Sequence, residues 1–181
     1  MTDSSPSGMA LASLGVGLVH LAVAAGSPLL LAVLLAGFGV AELGWGVALL
    51  ARGRVILPRA ALPLALAPVA LWGLDITAAV ALGGSGMTAS LPIGPMAAAS
   101  ALSLFVGTGL ALARQRSLSP RPAASAPRPG RYLLGMTFAA LLVASLVTPA
   151  LAGTNAGTEA VPHGEHGTPA VREEPVSHSG H

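Results

Sequence analysis

The chain has 181 residues, of which 53% are hydrophobic and only 9% are charged, whereas about a quarter of residues are charged in ordinary soluble domains. This composition excludes a typical soluble fold and predicts an integral membrane protein. Cysteine is absent, which excludes disulfides, thiolate metal sites, iron–sulfur clusters and cysteine nucleophiles.

Five apolar segments are long enough to cross a hydrocarbon core of about 30 Å, which needs about 20 helical residues. These segments cover residues 9–25, 27–51, 60–83, 92–113 and 132–151. We therefore predict an all-α bundle of five transmembrane helices in a lipid bilayer. The short connection around Gly26 and Pro28 predicts that the first two helices form a tight antiparallel hairpin.

Arginine placement predicts the orientation of this bundle. Eight of the nine basic residues, all of them arginine, lie in two connections, residues 52–59 and 114–131. Short Arg-rich loops stay on the cytoplasmic side of a membrane, and these two connections lie two helices apart, so their signals agree. The N-terminal tail, residues 1–8, is then inside and the C-terminal tail, residues 153–181, is outside. No aromatic and basic surface accompanies the arginines, so we expect no nucleic-acid partner.

Two segments are predicted to be irregular. The Pro-rich part of residues 114–131 is typical of a disordered linker, and the polar residues 153–181 are predicted to be unstructured. Alternatively, Ala150-Leu151-Ala152 resembles a signal-peptide cleavage site that would release the tail. Its position behind four other apolar segments argues against cleavage.

Three ionisable residues fall inside the apolar segments: His20, Glu42 and Asp75. A charge near the centre of a membrane costs about 2.5–3.5 kcal/mol on insertion scales, so such residues usually face the bundle interior. Gly39 and Gly46 share the helix face of Glu42 and predict close approach of another helix. With a rise of about 1.5 Å per residue, His20 and Asp75 lie about 5 Å from their helix midpoints, toward the outer side of the membrane. Glu42 lies about 5 Å from the midpoint of its own helix, toward the inner side. At these depths His20 and Asp75 can pair directly, whereas Glu42 needs a water or a helix tilt to join them.

These three residues allow two interpretations. One is a proton or cation relay that opens to the outside. The other, which we favour, is a set of interhelical hydrogen bonds that fixes helix packing. Phe38 and Trp45 flank Glu42 on the second helix. Since the chain has no nucleophile elbow and no zinc-protease motif, we expect no enzymatic activity and no catalytic residue.

Four histidines in the tail form two pairs: His163 with His166, and His178 with His181. Imidazole is a good ligand for Zn or Cu, so these residues are candidate metal ligands at the outer membrane face. The alternative, which we favour, is that a solvated tail rich in Gly and Pro tolerates histidine as it tolerates Ser. We therefore expect no resident cofactor, with Zn or Cu at the tail as the alternative.

The segments His20-Leu21-Ala22-Val23-Ala24, Ala41-Glu42-Leu43 and Leu71-Trp72 carry a resemblance. Across its first four apolar segments the chain resembles small polytopic membrane proteins of high-GC Gram-positive bacteria, which have no assigned activity. The resemblance implies a bacterial cytoplasmic membrane and a shared feature of the first helix pair that includes His20 and Glu42. It implies no substrate.

The sequence thus leads to two functional hypotheses. The first is a non-enzymatic structural or accessory membrane protein, whose partner is a second copy of the chain or another membrane protein. The second is a protein that handles or senses a small ion or a divalent metal (Zn or Cu), using the tail histidines together with His20, Glu42 and Asp75.

Overall fold

The computed structural model describes residues 6–56, 58–84, 91–117 and 129–158, and the described residues form helices and no strand. The helices are α1 (Pro6–Ala24), α2 (Leu29–Arg52), α3 (Pro58–Leu82), α4 (Ile93–Ser117), α5 (Pro129–Ala152) and α6 (Asn155–Thr158). Each of α1 to α5 contains a stretch of mean hydropathy 1.7–2.0 and is long and apolar enough to cross a membrane. The predicted all-α fold with five membrane-length helices is confirmed.

The helices extend further than their apolar segments. Three of them begin at a proline: Pro6, Pro58 and Pro129. Proline suits the first helical position, because the backbone N–H that it lacks would have no partner within the helix there. Helix α4 continues to Ser117, and α2 stops at Gly53, whose φ of 60° is left-handed. The tail 1–8 and the connections 52–59 and 114–131 are therefore helical in part, contrary to their prediction as tail and loops.

Helix α1 lies at the centre of the bundle. In its apolar stretch 67% of residues are buried, against 6% in α3 and 11% in α5. It packs against α2, α4 and α5, whereas α3 packs mainly against α4 and scarcely touches α2. The core therefore surrounds α1, and α3 and α5 form the edges.

Helices α1 and α2 touch through their backbones. A Cβ atom at Gly17 would lie 2.8 Å from the Gly39 carbonyl oxygen and 2.7 Å from Leu43 Cγ, and a Cβ atom at Gly46 would lie 3.1 Å from the Ala10 carbonyl oxygen. Since the contact moves toward the start of α1 as α2 advances, the two helices are antiparallel. This confirms the predicted hairpin and the close approach expected at Gly39 and Gly46.

Helices α1 and α5 run parallel. The hydroxyls of Ser7 and Tyr132 lie 3.0 Å apart near the beginnings of the two helices. Beyond their far ends, Asn155 Nδ2 donates a hydrogen bond to the Gly26 carbonyl oxygen at 3.3 Å. The beginning of α1 and the end of α5 therefore lie at opposite ends of the bundle.

Three of the described arginines lie at one end of this bundle. Arg52 ends α2, Arg59 lies in the first turn of α3, and Arg114 lies near the end of α4. Helix α2 is antiparallel to α1, and the start of α4 meets the end of α5, where a Cβ atom at Gly153 would lie 3.6 Å from Pro95 Cδ. The three arginines therefore lie at the end at which α1 begins.

The prediction that the chain is unstructured from residue 153 onward is wrong for the short helix α6. The hydroxyl of Thr154 accepts a hydrogen bond from the Gly157 backbone N–H at 3.2 Å, as a helix-capping side chain does. Thr154 is 1% exposed, so this cap is buried against the bundle. Without a following apolar run, the capping residue gave no recognisable helix signal in the sequence.

The backbone contact between α1 and α2 makes Gly17 a sensitive position. We expect Gly17→Ala to lower the free energy of unfolding by about 1–3 kcal/mol, because the added methyl group must displace α2 or Leu43. The measurement is the unfolding midpoint of the purified protein in detergent, followed by circular dichroism.

Gly37 is the matched control, since a Cβ atom there meets nothing within 4 Å. Because alanine has the better helix propensity, Gly37→Ala should leave stability unchanged or raise it slightly. Equal midpoints for the two variants would show that α1 and α2 are not in backbone contact.

Candidate functional site

His20 of α1 and Glu42 of α2 form a direct contact in the middle of the bundle. His20 Nδ1 lies 2.7 Å from Glu42 Oε2, and the two side chains are 1% and 12% exposed. A hydrogen bond of this length needs one proton between the two atoms, carried by the imidazole or by the carboxyl group. The pair therefore joins the two helices through one hydrogen-bonded proton.

His20 contacts Glu42 directly, whereas helix depth alone favoured Asp75 as its partner. Helical side chains lean toward the N-terminus of their own helix. In an antiparallel hairpin this brings Glu42 toward the turn and His20 away from it, so the two side chains converge along the helix axes. An estimate of helix depth from Cα positions neglects this direction of the side chains. The contact between His20 and Glu42 therefore needs neither a bridging water nor a helix tilt.

Ser13 adds a second bond between the same helices. Its hydroxyl donates to the Glu42 backbone carbonyl oxygen at 2.8 Å, and its side chain is buried. Ser13 and His20 lie seven residues apart, so they share one face of α1. Glu42 is thus held by α1 through both its side chain and its backbone.

Asp75 lies on α3 outside this pair. It is partly exposed, and the carboxylate that pairs with His20 is that of Glu42. Within the described ranges, no group of three His, Asp or Glu side chains could hold a metal ion. The candidate ligands His163, His166, His178 and His181 lie outside the described residues, so metal binding by the tail stays a prediction.

A partly open cleft of about 60 Å³ lies beside the pair. Helices α1 to α4 all contribute to it, and the sparse contact between α2 and α3 leaves room for it. It is lined by Ser13, Val16, Phe38, Ala41, Glu42, Trp45, Ala61, Leu64, Ala65, Ser103 and Val106. Glu42 is the ionisable member of this lining in the part of the chain that the structure describes.

Trp45 fixes one wall of the cleft. Its indole Nε1–H donates to the Ile56 carbonyl oxygen at 3.1 Å, which ties α2 to the link before α3. Phe38 and Trp45 lie four residues before and three residues after Glu42, so all three share a helix face. The sequence places these side chains together, but the cleft itself depends on how α3 packs.

The helices and their buried polar contacts define a helical bundle of the multi-pass membrane class. No family model, curated protein or solved structure matches this chain significantly. The arrangement of His20, Glu42 and the cleft therefore has to be interpreted from its own chemistry.

A double-mutant cycle measures the contact between His20 and Glu42. We expect His20→Gln and Glu42→Gln to show a coupling free energy of about 0.6–1.7 kcal/mol, the range of hydrogen bonds between membrane helices. The measurement is unfolding of the single and double variants in detergent.

Asp75→Asn combined with His20→Gln is the control cycle, because Asp75 is a carboxylate on a helix outside the pair. Its coupling should be near zero. If the coupling free energy of His20 with Asp75 exceeded that with Glu42, Asp75 would be the partner of His20.

Proposed function

We propose that this chain is a non-enzymatic structural or accessory protein of a bacterial cytoplasmic membrane. The observation that carries the proposal is that His20 and Ser13 of α1 both form hydrogen bonds to Glu42 of α2. Polar groups used in this way stabilise helix packing inside a membrane. They form neither a nucleophile with its base nor a metal site among the described residues.

The edges of the bundle support an accessory role. Leu74 and Val80 of α3 are 68% and 79% exposed, and Leu134 and Phe138 of α5 are 73% and 62% exposed. Lipid chains can cover such faces, and so can the helices of a partner. In the proposed role, one of these two edges contacts a membrane protein or a second copy of the chain.

The proposed orientation has the beginning of α1 in the cytoplasm. Its support is the gathering of Arg52, Arg59 and Arg114 at that end, since arginine in short loops is retained on the cytoplasmic side. The end of α5 and the histidine tail are then outside.

The absence of cysteine allows the orientation to be tested with single introduced thiols. We expect a membrane-impermeant maleimide to label Thr158→Cys in intact spheroplasts and to label Gln115→Cys only after permeabilisation. Both positions are exposed, at opposite ends of the bundle. The reverse labelling pattern would invert the proposed topology.

Photo-crosslinking tests the accessory role. With a photoreactive amino acid at Val80 or at Phe138, we expect irradiation of native membranes to give a discrete protein adduct at one of the two positions. A product of twice the 17.7 kDa chain mass indicates a second copy, and any other discrete mass indicates another protein. Lipid adducts alone at both positions would contradict the accessory role.

The ion-handling hypothesis is the second candidate, because Glu42 lines a cleft beside its bond to His20. Two results separate it from the first. A submicromolar Zn or Cu site that is lost on removal of residues 159–181 would favour it. Proton-coupled uptake in liposomes that is abolished by Glu42→Gln would favour it as well, whereas the structural role leaves ion flux unaffected by this change.

A further inference from the structure

Glu42 presents one carboxylate oxygen for a further bond. Oε2 is bonded to His20 Nδ1, and Oε1 makes no hydrogen bond to another described residue. The side chain is 12% exposed, and it borders the cleft. A donor that enters the cleft can therefore reach a carboxylate oxygen in an otherwise apolar surrounding, where such a bond is strong.

The aromatic side chains favour a cation as that donor. Phe38 and Trp45 lie on either side of Glu42 along the face of α2 that lines the cleft. Aromatic faces attract ammonium groups, more strongly where water is excluded. A single carboxylate among apolar and aromatic side chains suits an organic cation, since hard metal ions need several oxygen ligands.

The size of the cleft limits the cationic group. The space open to the centre of a water-sized sphere is about 60 Å³, and about 10–15 Å³ of such space holds one water molecule. The cleft therefore has room for a few heavy atoms, such as a CH₂–NH₃⁺ group and the carbons next to it. The open side of the cleft leaves space for an apolar body between α2 and α3, which scarcely touch each other.

We propose that the cleft binds the protonated primary amine of an apolar amine, with Glu42 Oε1 as its hydrogen-bond acceptor. His20 in its neutral form donates its Nδ1 proton to Oε2, which holds the carboxylate in place and leaves its charge for the ammonium group. Trp45 and Phe38 contribute the aromatic surface. This binding site goes beyond the accessory role and does not depend on it.

Trp45 reports on binding. The chain has two tryptophans, so a Trp72→Phe background leaves Trp45, in the cleft wall, as the single tryptophan, which is excited selectively over Tyr132 at long wavelength. We expect benzylamine to change its emission saturably at neutral pH in detergent-solubilised full-length protein. The neutral isostere ethylbenzene, which has the same shape and no charge, should neither saturate the signal nor compete with benzylamine.

Substitutions then locate the site. Glu42→Gln should weaken benzylamine binding by about tenfold or more, the loss expected for one charged hydrogen bond. Asp75→Asn, a carboxylate substitution outside the cleft, should leave the affinity unchanged. Ala65→Leu fills the cleft from α3 and should abolish binding while the pair of His20 and Glu42 stays intact.

Three outcomes would overturn the proposal: equal affinity for ethylbenzene and benzylamine, wild-type affinity in Glu42→Gln, or equal losses in Glu42→Gln and Asp75→Asn. If Glu42→Gln does not fold, Ala65→Leu decides, because retained binding in that variant places the amine elsewhere.

Discussion

The close contact between α1 and α2 determines most of the structure around it. Gly17 and Gly39 let the two backbones meet, and a Cβ atom at either position would lie within 3 Å of the other helix. Only at this separation do short side chains bridge the helices, as Ser13 does to the Glu42 carbonyl oxygen. The bond between His20 and Glu42 depends on the same separation, because both are side chains of fixed reach. Two glycines thus position the buried polar groups of the bundle.

The number and class of the helices could be predicted from the sequence, because membrane thickness fixes the length of an apolar segment. The small residues around Glu42 also predicted the close approach of another helix correctly. The partner of His20 could not be predicted from depth, since the direction in which a helical side chain leans matters as much as its level. The cleft could not be predicted either. It results from the position of α3 relative to α2, and the hydrophobic pattern does not constrain that position.

Unequal packing goes with the placement of glycine. Gly15 and Gly17 let α1 approach its neighbours closely, whereas a Cβ atom at Gly73 of α3 would meet nothing within 4 Å, and Leu64 and Leu74 of α3 remain exposed. The attachment of α3 is mainly to α4, where a Cβ atom at Gly107 would lie 2.9 Å from Leu66 Cδ2. The bundle therefore consists of a tightly joined hairpin with a second hairpin beside it, and the cleft lies along their boundary.

The parallel arrangement of α1 and α5 has a consequence for biosynthesis. The contacts that join them, from Ser7 to Tyr132 and from Gly26 to Asn155, link residues 125 and 129 positions apart. Helix α1 can pair with α2 as soon as both leave the ribosome, but its remaining face, at Gly15, meets Val143 and Val147 only when α5 has been synthesised. A nascent chain that stops before α5 therefore leaves Gly15 and the small residues around it without the helix that covers them.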